Sequence, residues 1–159
     1  MKRGFTLVEI LIVIAVISGV IAGIFAVLNV GTASFNDGQA LLSLQQNSRL
    51  AIDAMTQEIR QSQMNNLSIP TSTHIDFTIP LDITTSPITY SGTISYYLQD
   101  GQLIREYPSG WRRVVCNDIN NIVFSNNTTS VSIQLMSSKT IDHTMHFNLT
   151  EEVKVRNHE

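Results

Sequence analysis

Met1-Lys-Arg-Gly-Phe-Thr-Leu-Val-Glu9 runs without a break into Ile10-Leu-Ile-Val-Ile-Ala-Val-Ile-Ser-Gly-Val-Ile-Ala-Gly-Ile-Phe-Ala-Val-Leu28, and the rest of the chain is read outward from this stretch. Between Phe5 and Leu28 the only charged residue is Glu9. As a helix the segment is about 36 Å long, enough to cross a hydrocarbon core of roughly 30 Å with some tilt. Val, Ile and Leu dominate the run, so its local propensity is not strongly helical, but in lipid a lone spanning segment satisfies its backbone only as a helix. Lys2 and Arg3 precede the run, and no basic residue follows until Arg49. The positive-inside bias therefore places the N-terminus in the cytoplasm and everything after about residue 30 outside.

A secretory signal has a short apolar region followed by a small-residue cleavage site. Here the apolar run is too long, no convincing A-x-A site follows it, and the candidate processing point, Gly4-Phe5, comes before it. Glu9 is the second departure, because an acid inside an apolar helix is costly unless paired, and such residues are usually functional. A cut after Gly4 would leave a free amine on Phe5, one helical turn from Glu9. That amine and the carboxylate can neutralise each other within one subunit or between staggered neighbours.

Gly4-Phe5-Thr6-Leu7-Val8-Glu9 followed by a long apolar run resembles the class III signal of type IV prepilins and type II secretion pseudopilins. The resemblance covers residues 1 to about 30. It implies cleavage after Gly4 by a prepilin peptidase, N-methylation of Phe5 by the same enzyme, and a role for Glu9 in subunit assembly. Implied partners are that peptidase/methyltransferase, other minor and major pilins or pseudopilins, an inner-membrane assembly platform and membrane lipid. The implied location is the inner (cytoplasmic) membrane, as a single-pass protein with its C-terminal domain in the periplasm or outside, and then a filament.

Of the 159 residues, removing the membrane segment leaves roughly 125, room for one modest domain. Losing Lys2 and Arg3 takes the net charge from −3 to −5, which argues against a non-specific nucleic-acid surface. The single cysteine, Cys116, excludes an internal disulfide and reads as a small, partly buried hydrophobe.

Beyond the apolar run, Gly31, Asn36 and Gly38 are expected to weaken the helix between Asn29 and Gly38. Helix resumes over Gln39 to Gln63, where Leu41, Leu44, Ser48, Ile52, Met55, Ile59 and Ser62 form one stripe at spacings of three and four. Arg49 and Asp53 are spaced for an i,i+4 ion pair. From Ser68 the period becomes alternating. Ile75, Phe77 and Ile79 predict a strand that Pro80 stops, and Ile88 to Tyr90 a short one. Thr93 to Gln99 meets Gln102 to Tyr107 across Asp100-Gly101, a strong hairpin signal. Trp111 to Cys116 and Ile119 to Phe124 are further candidates. Val131, Ile133 and Leu135 pair with Met145, Phe147 and Leu149 as a hairpin around Ser137 to Asp142, and Val153 to Arg156 closes the sheet.

The expected fold is α+β and pilin-like: one long N-terminal helix, transmembrane in its first half, packed on a mainly antiparallel sheet. The expected parts are a leader at 1–4, a transmembrane and filament-core helix at 5–28, its amphipathic continuation at 29–66, and an extracytoplasmic β domain at 67–159. Three further stretches resemble minor pseudopilin J and pilin W-like proteins. They are Arg49-Leu-Ala-Ile-Asp-Ala-Met-Thr-Gln-Glu-Ile-Arg60, the Tyr96-x-Leu98-x-Asp100-Gly101-x-Leu103-x-Arg105 hairpin, and the ending Val153-x-x-Arg156-Asn157.

No constellation of nucleophile, base and stabiliser is visible, so no catalytic residue, cofactor or metal is assigned. His143 and His146 lie three apart, on opposite faces of a strand. His74 and His158 have no carboxylate or cysteine partner in a recognisable spacing. Trp111-Arg112-Arg113 beside Tyr107 fits a nucleic-acid or adhesive contact at a pilus tip. The plainer reading packs Trp111 on the core and leaves both arginines in water. Nucleic acid is not an expected partner, given the acidic charge.

Overall fold

The computed structural model describes residues 6–82, 84, 86–141 and 143–155. It is one long helix followed by antiparallel sheets, an α+β, pilin-like architecture. Helix α1 runs over Leu7–Gln61, a 3-10 turn over Met64–Asn66 follows, and the rest is strand. By packing, the chain divides into two units, 1–39 and 40–159.

In the first unit the described residues are helix and nothing else from Leu7 on. The weakening expected between Asn29 and Gly38 does not interrupt it, for helix is continuous through both glycines. A glycine costs about 1 kcal/mol in a helix interior, which a long cooperative helix absorbs.

The second unit holds the core. Helix residues Ala40, Leu44, Ser48, Ala51, Ile52, Met55, Thr56 and Ile59 are buried. Recurrence every three or four residues puts them on one side of the helix, where they meet the sheets. Ten strands follow: β1 (Leu67–Thr71), β2 (His74–Phe77), β3 (Pro80–Asp82), β4 (Thr89–Tyr90), β5 (Ile94–Gln99), β6 (Gln102–Glu106), β7 (Arg112–Cys116), β8 (Ile119–Asn126), β9 (Ser130–Thr140) and β10 (Thr144–Lys154). They form a five-stranded sheet β1-β2-β5-β6-β7, a three-stranded sheet β10-β9-β8 and a ribbon β3-β4, all antiparallel.

Ile75, Phe77, Ile94, Tyr96 and Leu103 bury one side of the first sheet, with the Phe77 and Tyr96 rings stacked 6.2 Å apart. Ile122, Phe124, Val131, Ile133, Leu135 and Val153 join the same core from the second. Asp100 and Gly101 take positive φ of 52° and 73°, as a two-residue hairpin turn requires, and the Gly101 carbonyl accepts the Ile119 N–H at 2.9 Å. This bond ties the β5–β6 hairpin to the start of β8.

Several expectations are corrected. There are two main sheets rather than one. Val153 and Lys154 finish β10, opposite Val131 and Ser130, rather than forming a separate strand, because β9 and β10 pair without a bulge along eleven residues each. Arg156 and Asn157 lie outside the described residues, as does Asp142. β2 already ends at Phe77, and Pro80 opens β3, where its missing N–H is tolerated. β1 was not expected as a strand; it sits at a sheet edge, which accommodates Pro70.

Candidate functional site

Gly4 and Phe5, the expected processing point, lie outside the described residues. What is described begins at Thr6, and every residue from there to Thr32 is exposed. That surface includes Ile10, Leu11, Ile12, Val13, Ile14, Val16 and Ile17, which cover the helix all round. Water does not tolerate an uninterrupted apolar helix of this length, and such a helix is covered by lipid or by other helices. By length and composition α1 is able to cross a membrane.

Glu9 stands at the start of this surface and is not left bare. Its Oε2 accepts the Thr6 backbone N–H at 2.9 Å and the Thr6 hydroxyl at 3.1 Å. In return the Glu9 N–H donates to Thr6 Oγ1 at 3.3 Å. This is a capping box, which satisfies backbone donors that a helix start otherwise leaves open. The expectation for Glu9 considered only an amine partner. The pattern Thr6-x-x-Glu9 before an apolar run is itself the sequence signal for this cap.

A second polar cluster joins the helix of the 40–159 unit to its five-stranded sheet. Arg105 on β6 meets Glu58 on α1 through Nε at 3.0 and 3.1 Å and through Nη2 at 2.9 Å. The Tyr96 hydroxyl on β5 donates to Glu58 Oε2 at 2.9 Å. Burial pushes the Tyr96 phenol well above its ordinary range, and the negative charge of Glu58 adds to the shift. Arg105 also lies 5.5 Å over the Tyr107 ring. Three residues of the hairpin motif thus have clear work. Tyr96 and Arg105 grip Glu58, and Leu103 fills the core.

Three residue-level expectations fail. Trp111 is 76% exposed and does not pack on the core. It sits beyond the positive-φ turn at Gly110, at the edge of the sheet, where nothing covers it. His74 does have a carboxylate partner: Nε2 is 2.9 Å from Asp76 Oδ1. The two are on the same face of β2 because a strand repeats every two residues. Arg49 and Asp53 are not among the ion pairs of the described residues, although both are exposed. Cys116 is buried in the core, which pushes its thiol upward, with Asp118 contributing. His146 is exposed, opposite in facing to half-buried Met145 and Phe147. His158 lies outside the described residues. Ser95 donates to Asp76 rather than to His74, so the Ser95–Asp76–His74 group is not a nucleophile–base pair. Among the described residues no group of three or more His, Cys, Asp or Glu is placed to hold a metal ion.

Residues 1–28 match the family described as the prokaryotic N-terminal methylation motif. No curated protein and no solved structure matches the chain. The chain therefore carries the type IV pilin and pseudopilin signal at its N-terminus, the mark of a prepilin peptidase substrate, of membrane anchoring and of assembly with other pilins. Proteins with this motif are structural rather than enzymatic. The match ends at Leu28, where the apolar run ends.

Proposed function

We propose that this protein is a minor pilin or pseudopilin whose work is packing. The observation that carries the reading is the methylation motif at residues 1–28 on a helical stretch, 7–28, whose apolar side chains are all left exposed. In this reading residues 1–4 are a leader, cut between Gly4 and Phe5, and Phe5 is then N-methylated. Residues 5–28 hold the precursor in the inner membrane with the N-terminus in the cytoplasm. They later bundle with the same segments of other subunits. Residues 29–66 are the continuation of the helix, which ends at Gln61, and the 3-10 turn after it, and 67–159 form the domain outside the membrane.

Glu9 is the assembly contact. Its bonds to Thr6 both end on Oε2, so Oε1 remains for the Phe5 amine of a neighbouring subunit. In a low-dielectric bundle a buried amine without a counter-charge is strongly disfavoured. The Glu58–Arg105–Tyr96 grip gives a physical reason for the hairpin motif, and so supports the narrower reading as a pseudopilin J or pilin W-like subunit; a place at the filament tip or its initiation belongs to the same reading.

Intact-mass analysis of the chain extracted from membranes tests the reading. The expected mature chain starts at Phe5 and is one methyl group heavier than its sequence. Gly4→Leu is expected to remain full length. A mature N-terminus at any other residue overturns the assignment. Glu9→Leu is expected to insert and be cleaved but to enter filaments poorly; normal incorporation would remove the role given to Glu9.

A second reading, a pilus-tip module for DNA uptake or surface adhesion, is favoured by one observation, the exposure of Trp111 beside exposed Arg112 and Arg113. Salt-dependent DNA binding by the full chain, lost on Arg112→Ala/Arg113→Ala, would establish it.

A further inference from the structure

Each of the two main sheets ends in a strand that, among the described residues, pairs on one side only. β7 ends the first sheet beside β6, and β10 ends the second beside β9. The other two end strands are guarded within the chain. β8 lies against β1, β2 and β5, and its Phe124 N–H donates to the Ser72 carbonyl at 2.7 Å. β1 carries Pro70, which has no N–H to offer. An open strand edge is a row of backbone donors and acceptors that another strand can complete.

Both open edges carry two adjacent charges of one sign. On β7 these are Arg112 and Arg113, both exposed. Arg112 meets Glu106 through Nε, which leaves its Nη groups to donate. Arg113 is in no ion pair of the described residues. It stands opposite Arg105, a like charge whose partner Glu58 is already taken, so its own charge is uncompensated. On β10 the pair is Glu151 and Glu152. Glu151 is half-buried on the core side, between Leu149 and Val153, and is likewise in no ion pair of the described residues. Glu152 accepts the Ser130 hydroxyl on Oε1 at 2.6 Å, and among the described residues nothing is bonded to Oε2.

Charges on a strand edge discourage indiscriminate pairing. Here the sign differs between the edges, so they also select a partner. β7 against β7 sets arginine against arginine, and β10 against β10 sets glutamate against glutamate. Only β7 against β10 matches. Neighbours on a strand point to opposite faces, so the two ion pairs form one on each face. Antiparallel pairing of Arg113 with Glu151 and Arg112 with Glu152 also keeps the core sides continuous. Arg113 shares its side with Arg105 and Tyr96, and Glu151 shares its side with Val153. The same register sets the exposed Trp111 opposite Val153 and Val114 opposite Thr150. We propose that β7 of one copy of this chain adds to β10 of a second copy, head to tail. Such a contact leaves one β7 and one β10 free, so it builds a row or a ring and not a two-fold pair. It lies within the 40–159 unit, and it goes beyond the bundling of residues 5–28 without resting on it.

Mixing charge-reversed copies of the full chain in a zwitterionic detergent tests this pairing. Arg112→Glu/Arg113→Glu makes both edges acidic, and Glu151→Arg/Glu152→Arg makes both basic. In sedimentation velocity each variant alone is expected to self-associate about tenfold more weakly than the unaltered chain, or weaker still, and an equimolar mixture of the two to recover. Recovery also shows that both variants fold. A second measurement keeps the native charges. Val114→Cys and Thr150→Cys copies, carrying different tags, are expected to form a disulfide with each other under mild oxidation and not with their own kind. Cys116 is buried and common to every sample. Should the reversed variants misfold, that disulfide alone upholds the pairing. Association carried by the apolar helices alone would be indifferent to charge reversal, and that result overturns the proposal. So does an unaltered chain that stays monomeric at micromolar concentration, a disulfide between like copies, or folded variants whose mixture fails to recover.

Discussion

Residues 7–28 and 40–61 of α1 belong to one hydrogen-bonded helix, yet their apolar side chains meet different fates. In 40–61 most are sorted: Leu44, Ile52, Met55 and Ile59 are buried, while Arg49, Asp53, Gln57 and Arg60 face water together with Leu42 and Leu50. In 7–28 there is no sorting, and every residue is exposed. A one-sided stripe is solved within the chain, by the sheets of the 40–159 unit. An all-round apolar surface has no such solution, and its partner must come from outside. The comparison separates what folds this protein from what places it.

The difference is broken or sharpened most strongly by truncating one residue in each half. Met55 is fully buried, so Met55→Ala is expected to cost about 3 kcal/mol in urea unfolding of the detergent-solubilised chain, from lost burial and the cavity left behind. Ile17 is exposed and not one of the core residues, and Ile17→Ala is expected to leave the same transition in place. An equal loss in both would mean that the first half is also part of the folded core.

The Glu58 grip ranks next. Glu58 and Arg105 are 26% and 16% exposed, between the surface pairs that contribute little and the buried pairs that are costly to break. Glu58→Ala leaves a guanidinium and a phenol without their acceptor and is expected to cost about 2 kcal/mol in the same unfolding measurement. Tyr96→Phe removes one hydrogen bond and keeps the ring stacked on Phe77, so about 1 kcal/mol is expected. A Glu58→Ala loss no larger than that of an Arg49→Ala control, a surface residue outside the ion pairs of the described residues, would show the grip to be ornamental.

How much of this was readable follows from what periodicity encodes. Spacings of three and four announced the buried side of 40–59, and Asp100-Gly101 announced its hairpin, because both signals are local. Period-two alternation tells which face a residue takes but not which strand lies alongside. The single expected sheet is therefore two, and Val153-Lys154 proved to be the end of β10. Trp111 was misplaced because size and apolarity favour the interior, whereas a turn at a sheet edge decides otherwise. His74–Asp76 was readable as an i,i+2 pair on a strand, and Thr6–Glu9 as a cap. Gly4 and Phe5 rest on the motif alone, which fits a signal read by an enzyme rather than by the fold.

The smallest expected effect lies at alkaline pH, and it sharpens the comparison by isolating one buried group of the second unit. The Tyr96 phenol is held well above its ordinary range by burial and by Glu58. Folding then favours the protonated phenol, so its contribution is complete below about pH 10, the ordinary phenol value, and is lost as pH rises through the raised one. Stability is expected to fall with rising pH above that point, and ultraviolet titration of phenolate should show a late step that disappears in Tyr96→Phe. Tyr97 is also raised, by burial first and then by its bond to Glu106. It lies on the opposite side of β5 from Tyr96, so the comparison of Tyr96→Phe with Tyr97→Phe apportions the delay between the two faces of one sheet. If Tyr97→Phe removed the late step and Tyr96→Phe did not, the Glu58 grip would be open to solvent, and the second half of the helix would be less tightly seated than its buried stripe implies.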